Sequence, residues 1–405
     1  MINKIEQLQN EGSFASHHTV WQLFVLLALV LSSVSIAFAQ TTSRERAKAI
    51  HDRLTGVPAT EADLTAMQGM TPVQAGQYAM TNGENSRYFA TVTLKNLAAP
   101  WTNRDQSAFV PLNDYTTLVI GMVINDEPFN ELLSADRLYV QSGQPLPSAS
   151  SNAHYEALES RMMAPDFDPK TELVEIPQSS AYTMLPPNAT AGAITTRASS
   201  EAFFVAGTNR AMFRFTFINH MCMDLEQVHD ISIVPDRIRQ DVSRSPGADS
   251  RVFLNSCIGC HAGMDPMAQA FAYYNFNDVT GSIEYTDGVV QPKYFHNEET
   301  FPDGFITPDD HWTNYWRQGQ NALLGWSPSL PGEGDGAKSL GQEIAGTRAF
   351  AECQVTKVFN AVCLRDPVDA ADRASVQTMT DDFIGNSYHL KQVFAESAEY
   401  CTQGL

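Results

Sequence analysis

The sequence predicts a mainly α-helical protein with a single small β-hairpin. Residues 42–82 follow a helical pattern in which Thr60 provides a helix start. Residues 388–400 carry one apolar stripe at helical spacing. Only residues 282–294 alternate as hairpin strands do, around a Thr-Asp-Gly turn. These observations favour a helical N-terminal region followed by a second helical domain that carries the hairpin.

Composition and charge narrow the functional classes. The chain has 405 residues, of which 43% are hydrophobic, and this suits roughly two or three folded domains. Its formal net charge of −20 argues against nucleic acid as a partner, because such binding depends on clustered Lys and Arg. The sequence also contains no Gly-x-x-x-x-Gly-Lys loop. We therefore expect neither nucleic acid nor a nucleotide as a ligand.

Residues 1–39 are predicted to be a cleaved signal peptide. Residues 23–37 are largely apolar, and Ala37 and Ala39 place small side chains just before the expected cleavage point at Gln40. The alternative is an uncleaved membrane anchor, which the serines of the segment and its short length disfavour. The mature chain is thus expected to be periplasmic or extracellular, with no integral membrane span.

The pattern Cys-Ile-Gly-Cys-His at residues 257–261 predicts covalent attachment of one haem c. The thiols of Cys257 and Cys260, three residues apart on one helical turn, would add to the two vinyl groups of the porphyrin. The imidazole of His261 would then be the proximal ligand of the iron. Three alternatives use the same cysteines: a thioredoxin-like redox pair, a zinc site and a local disulfide. Residues 251–256 are expected to begin the helix that carries the motif.

The residues after this motif resemble a known family. Asp265-Pro266 follows, then an aromatic-rich stretch at 271–276 and Gly281, and a later helical segment opens with Phe-Ala-Glu-Cys at 350–353. Over about residues 205–400, this order resembles the exported cytochrome c-like domains first described from planctomycete proteins. The resemblance implies a periplasmic haem protein with a helical cytochrome c-like domain, and it implies no particular reaction. Pro266 is expected to end or kink the motif helix.

The sequence leaves the sixth iron ligand open. A methionine there would raise the reduction potential, a second histidine would lower it, and an open position would permit ligand chemistry. Met264 and Met267 are too close to His261 on the same helix to reach the opposite face of the haem. The remaining candidates are Met379, His296, His311, Met212, His220, Met221 and Met223.

The four other cysteines predict two disulfides, as expected in an oxidising compartment. Cys353 and Cys363 should not pair with each other, because ten residues along one helix separate them by about 15 Å. Two connectivities remain. We favour Cys222–Cys353 with Cys363–Cys401 over the alternative, in which the partners are exchanged.

Loop-like composition suggests where the chain divides. Residues 142–151 and 179–200 are rich in Ser, Pro, Ala and Thr, which is typical of loops and linkers. A boundary near residue 200 would separate a helical N-terminal domain of unknown role, residues 40–199, from the cytochrome c-like haem domain with its C-terminal helices, residues 200–405.

Further elements follow along the chain. Helices are predicted over residues 115–124, 127–133, 200–225, 349–364 and 369–384. Residues 301–336 are expected to form a long loop that contains Trp312, Trp316 and Trp326. These indoles would either shield the haem from water or pack without touching it.

The leading functional prediction is an exported monohaem c-type cytochrome that transfers electrons to or from a redox partner protein. The negative net charge favours a basic surface on that partner. A second hypothesis is a haem enzyme or redox subunit, peroxidase-like or serving a dehydrogenase, with an open or exchangeable sixth position; His311 beside Asp309 and Asp310 would supply its acid–base group. A third is a structural module. Whether the chain is an enzyme stays open, and an electron carrier is favoured over an independent enzyme.

Overall fold

The computed structural model describes residues 41–205, 207–295 and 300–405 of the chain. The described residues are mainly helical, with only small two-stranded sheets, which confirms the predicted fold class. The predicted signal peptide, residues 1–39, and the candidate ligand His296 lie outside the described residues.

The α-helices fall into two groups along the chain. The first group is α1 (Arg44–Thr55), α2 (Glu61–Met67), α3 (Pro72–Thr81), α4 (Lys95–Ala98), α5 (Asp114–Ile124), α6 (Ala153–Met162), α7 (Pro169–Glu172), α8 (Gln178–Ala181) and α9 (Arg197–Phe203). The second group is α10 (Arg210–Met221), α11 (Ser250–Val252), α12 (Ile258–Ala268), α13 (Gly336–Ala345), α14 (Arg348–Cys363), α15 (Ala370–Gly385) and α16 (Leu390–Cys401).

Shorter helical turns connect these helices. Two are π-helical, Phe89–Leu94 and Phe253–Cys257. The 3₁₀ turns are Ala99–Thr102, Phe129–Glu131, Gly192–Thr195, Leu225–Val228, Pro246–Ala248, Gln269–Phe271, Pro292–Phe295, Tyr315–Arg317 and Gly319–Leu324. The predicted helix over 127–133 is therefore only a single 3₁₀ turn.

Local capping explains the N-terminal helices, which were predicted correctly. The side chain of Thr60 accepts a hydrogen bond from the backbone N–H of Asp63 and so starts α2. Thr71 and Gln74 form a reciprocal capping box at the start of α3, where Pro72 occupies the first turn. The predicted helical stretch 42–82 is thus three helices separated by capped turns.

The predicted hairpin over 282–294 is wrong in its partner strand. Strand β4 (Ser282–Tyr285) pairs antiparallel with the preceding strand β3 (Tyr274–Asn277). The Thr-Asp-Gly turn does form, with Gly288 at φ +71°. However, Pro292 lacks a backbone N–H for a strand ladder, and the chain turns into the 3₁₀ turn that begins at this residue.

Two further sheets were not expected from the sequence. Strand β1 (Leu138–Gln141) pairs with β2 (Leu173–Ile176), and β5 (His311–Thr313) pairs with β6 (Glu333–Asp335), both antiparallel. The segment 301–336, predicted as a loop, therefore contains a two-stranded sheet. These strands are too short to give a sequence pattern of their own.

The first and last helices of the described chain pack together. Gly76 on α3 allows close approach to α16, because a Cβ at this glycine would lie 3.2 Å from the Cα of Ala395. Arg46 on α1 donates to the carbonyl of Glu399 at 2.9 Å. The predicted apolar stripe of α16 is buried in this contact; it consists of Leu390, Val393, Phe394 and Ala398.

Residues Thr42–Leu405 form one compact unit, and one large hydrophobic core extends through it. The stretch 179–200, predicted as a linker, contributes to that core. Ala191, Ala193 and Ile194 are buried there, and Gly192, at φ +50°, brings the backbone against the carbonyl of Leu132. The sequence boundary near residue 200 therefore does not separate two bodies with separate cores.

The favoured disulfide connectivity is confirmed. Cys222 pairs with Cys353 and Cys363 pairs with Cys401, each with Cα atoms 5.3 Å apart. Cys353 and Cys363 lie on the single helix α14, as the sequence spacing required. Across the described ranges, no helix is long and apolar enough to cross a membrane.

Candidate haem-attachment site

The motif lies in a continuous helical run. Asp249 caps its start by accepting a hydrogen bond from the backbone N–H of Arg251, and α11 is followed by the π-helical turn Phe253–Cys257 and then by α12. The predicted helical lead-in is therefore confirmed. Helix α12 continues through Pro266 to Ala268, so Pro266 does not end the helix; the other expectation, a kink at this residue, stays a prediction.

Three motif side chains share one turn at the start of α12. Cys257 and Cys260 are partly exposed and form no disulfide, whereas the other four of the six cysteines, all within the described ranges, are paired. Burial, followed by the charge of Glu226, raises the pKa of the Cys260 thiol. The Cys260 sulfur lies 3.4 Å from the carbonyl oxygen of Leu225. Both thiols are thus free for reaction and sit at a partly open surface.

The imidazole of His261 is oriented by Asp265. Its Nδ1 lies 3.2 Å from both carboxylate oxygens of Asp265, one helical turn later. The side chain of His261 is 20% exposed. Because the contact uses Nδ1, the neutral ring is left with its lone pair on Nε2, the arrangement that metal-bound histidines commonly show. The thiols and this imidazole therefore fit the requirements of a c-type haem.

Asp265 is itself fixed by arginines from elsewhere in the chain. Arg210, at the start of α10, donates from Nε to Oδ1 at 2.8 Å and from Nη2 to Oδ2 at 3.0 Å. Arg239 donates from its guanidinium to the backbone carbonyl of Asp265 at 3.1 Å. Burial raises the pKa of Asp265, but the Arg210 charge and His261 outweigh it and hold that pKa well below its usual range. The carboxylate is therefore ionised where His261 meets it.

Two glycines let bulky side chains pack closely against the motif helix. A Cβ at Gly259 would lie 2.5 Å from Nε2 of His229, and one at Gly263 would lie 2.0 Å from Nε1 of Trp316. Gly259 lies about 200° around the helix from Cys257, so His229 packs on the side away from that thiol, whereas Gly263 lies beside Cys260, three residues before it. The sequence did not single out His229. The one sequence feature that points to its close approach is the glycine at position 259, which leaves room for the imidazole.

The tryptophans of the segment 301–336 pack into the large hydrophobic core. Trp312 and Trp316 are buried, and Trp326 is partly buried. The ring of Trp316 meets Phe217 at a centroid distance of 5.3 Å, and Trp312 donates from its indole nitrogen to Ser339 at 2.8 Å. Packing against the protein core is thus established for these rings, and shielding of a haem stays a prediction.

The buried candidates for the sixth ligand are engaged with other groups. Nε2 of His220 lies 2.6 Å from the hydroxyl of Tyr115, and burial lowers the pKa of His220 well below its usual value. The thioether sulfurs of three methionines accept weak contacts from hydroxyls: Met212 from Ser199 at 3.7 Å, Met221 from Thr347 at 3.2 Å and Met379 from Ser397 at 3.5 Å.

Two candidates lie nearer the surface. Met223 is partly buried against the main core. Nδ1 of His311 lies 2.8 Å from Asp335, and its backbone N–H is bound by Asp309. Burial raises the pKa of the neighbouring Asp310 to about 6. The structure thus brings together Cys257, Cys260, His261 and Asp265, while it gives the described sixth-ligand candidates other neighbours.

Comparisons with known proteins add no relative. The chain matches no family model, no curated protein and no solved structure. In the described part of the chain, no group of three or more His, Cys, Asp or Glu side chains is arranged to hold a metal ion. A haem iron takes four of its ligands from the porphyrin and needs no such group. The resemblance to the exported cytochrome c-like domains stays a prediction.

Proposed function

We propose that this chain is an exported monohaem c-type cytochrome that transfers electrons. One haem is joined by thioether bonds to Cys257 and Cys260, and His261 is its proximal iron ligand. The observation that carries this proposal is the presence, on one helical turn, of two unpaired thiols and an imidazole whose Nδ1 contacts Asp265 and whose Nε2 is left to bind a metal. When bound, the haem supplies a one-electron iron couple.

The protein surface around the motif suits transfer through the haem edge. The motif side chains are partly exposed, and Leu254, within the preceding π-turn, is 53% exposed. A partner therefore approaches the thiol-bearing face directly, and no buried channel is needed. The full chain has a net charge of −20, and removal of residues 1–39, which contain Lys4, Glu6 and Glu11, would leave −19. This charge would steer a partner with a basic surface and make its association rate sensitive to salt.

The cysteines support export. Disulfides persist in oxidising compartments and are rare elsewhere, so the bridges Cys222–Cys353 and Cys363–Cys401 favour such a compartment. Together with the apolar segment at 23–37, they favour the periplasm or the extracellular space.

A second function, a haem enzyme or redox subunit with an exchangeable sixth position, draws on a separate observation. His220, Met212, Met221 and Met379 are all held within the core by other polar groups. If none of them moves, and if none of the other candidates binds, a bound haem would keep a position for a small ligand. His311, whose Nδ1 lies 2.8 Å from a carboxylate oxygen of Asp335, is the candidate acid–base group for such chemistry.

A visible spectrum of the mature protein from a host competent in c-type maturation tests both functions. We expect a c-type reduced pyridine haemochrome at one haem per chain, with a six-coordinate iron that does not bind carbon monoxide. An iron that binds carbon monoxide readily would favour the enzyme. The absence of covalent haem would exclude both and return Cys257 and Cys260 to disulfide or metal chemistry.

A further inference from the structure

We infer that Asp265 is a positioning residue for the haem iron: it fixes the ring of His261 through Nδ1 and thereby lowers the reduction potential. This inference rests on the proposed function, and it assigns a role in that function to a residue that never touches the haem. It follows from the contact between the two side chains and from the way in which Asp265 is held.

The contact is set by helix geometry. Asp265 follows His261 by four residues, so the two side chains lie on one face of α12, and Nδ1 is 3.2 Å from each carboxylate oxygen. A proton on Nδ1 is then shared with the carboxylate, and Nε2 is the nitrogen left to bind iron. Rotation of the ring about its χ2 angle would break this contact.

The carboxylate has little freedom to move. Asp265 is fully buried, and both of its oxygens accept hydrogen bonds from the fork of Arg210. Arg210 in turn is held by Asp241, whose Oδ1 accepts from Nη2 at 2.8 Å. A bidentate guanidinium contact fixes the plane of a carboxylate as well as its distance. The orientation of His261 is therefore set by α10 and the segment around residue 241 as much as by its own helix.

The charges around Asp265 come from several segments. Arg210 pairs with both Asp265 and Asp241, and the guanidinium groups of Arg239 and Arg244 also lie near these two carboxylates. The guanidinium of Arg239 is buried, lies 5.0 Å from the ring centroid of Tyr294 and donates to backbone carbonyls. Within this cluster it is Asp265 that contacts His261, so its influence on the iron would pass through the hydrogen bond to Nδ1.

That hydrogen bond has a defined electronic consequence. A carboxylate acceptor makes the imidazole a stronger donor than a neutral acceptor would. Stronger donation stabilises the oxidised iron relative to the reduced iron, and the potential falls. Replacement of the carboxylate by an amide of the same shape should reverse this effect without changing the thioether bonds at Cys257 and Cys260.

The test compares the holoprotein with the variants D265N and D241N. Both replace a carboxylate that pairs with Arg210, but only Asp265 touches His261. We expect each to attach one haem, and D265N to favour the reduced iron about tenfold, which equals 59 mV for a one-electron couple. D241N should shift the potential by less than a third of that amount.

Equal potentials for D265N and D241N would overturn the inference while leaving the haem assignment intact. If the unaltered protein carries no covalent haem, the proposed function fails and this inference fails with it. Should D265N not accumulate, proton NMR of the unaltered holoprotein decides. The Nδ1 proton of His261 must then exchange slowly with solvent, because its acceptor is fully buried; rapid exchange would contradict the role of Asp265.

Discussion

The helices α12 and α14 are attached to the rest of the protein by different kinds of contact. Helix α14 buries Phe350, Val355 and Val358 completely, and disulfides join it to other segments through Cys353 and Cys363. Helix α12 packs through glycines and through an ionised carboxylate, and its first turn stays partly exposed. Both helices bury apolar side chains in the large core, among them Met264 and Met267 on α12, but α12 also keeps two unpaired thiols partly exposed at its first turn.

The surrounding cores differ in the same way. Helix α14 lies within the large core, which runs from the first helix to the last. The N-terminal end of the motif helix contacts a small separate cluster of Ile238, Val242, Phe253 and Ala262. Met264, Met267 and Ala268 of the same helix belong to the large core, so only the thiol-bearing start of α12 packs against the small cluster.

Removal of the two free thiols tests most strongly whether the first turn of α12 binds haem without stabilising the fold. The double variant Cys257→Ala/Cys260→Ala should lose all covalent haem while its far-ultraviolet circular dichroism stays unchanged, because these side chains lie outside the large core. The matched variant Cys222→Ala/Cys353→Ala should retain the haem. Retention of covalent haem by the first variant, measured as haem absorbance after denaturing electrophoresis, would contradict the assignment.

Removal of the disulfides tests the stabilising role of α14. The bridge Cys222–Cys353 closes a separation of 131 residues and Cys363–Cys401 one of 38. Loop-closure entropy then predicts losses of about 5 and about 4 kcal/mol in the free energy of unfolding, respectively. Urea denaturation of the two paired-alanine variants would measure both. A loss below about 1 kcal/mol for either bridge would show that α14 does not depend on it.

Truncation of one side chain in the large core and of one beside the motif should lower the free energy of unfolding by amounts that differ by several kcal/mol. Phe394 on α16 is fully buried and meets Phe89 edge-on at 4.9 Å, so Phe394→Ala should cost about 3–5 kcal/mol of unfolding free energy. Leu254 beside the motif is 53% exposed, and Leu254→Ala should change stability by less than about 0.5 kcal/mol. Similar losses at the two positions, in the same denaturation assay, would erase the distinction between the regions.

The pH dependence of stability adds a smaller effect on α14. Burial lowers the pKa of Lys357 from 10.5 to about 7, and its ammonium lies 4.2 Å from the ring centroid of Trp101. Between these two pKa values the unfolded chain binds more protons than the folded one. The free energy of unfolding should therefore rise with pH over this window, by up to about 1.4 kcal/mol per pH unit.

The variant Lys357→Met is the control for this dependence. It should be more stable than the natural protein at pH 7 and should lose this part of the rise between pH 7 and 10. An unchanged pH profile in the variant would mean that another group is responsible.

The sequence could predict what depends on neighbours along the chain. The fixed rise of a helix excluded a bridge between Cys353 and Cys363, and Thr60 marks a helix start by its own side chain. The choice between the two remaining disulfide connectivities did not follow from helix geometry; it was a preference that the structure confirmed. The partner of β4 depends on tertiary packing: β4 pairs with the aromatic strand β3 and not with the later segment that contains Pro292. The burial of residues 179–200 was not predicted because a composition rich in small residues occurs both in linkers and in closely packed cores.

The residues of the candidate site also differ in whether the sequence could predict them. Cys257, Cys260 and His261 were predicted because their spacing alone defines the motif. The contact with Asp265 follows from a spacing of four, yet its anchor Arg210 lies 55 residues away in the sequence. No sequence pattern joins such distant residues. His229 likewise reaches Gly259 only through the fold.

The most direct test of the central claim is mass spectrometry of the mature protein produced with the c-type maturation machinery. We expect the intact mass to exceed that of the polypeptide by one haem, and proteolysis to place the added mass on the peptide that contains Cys257 and Cys260. A polypeptide with no added haem, or with a disulfide between Cys257 and Cys260, would contradict the account.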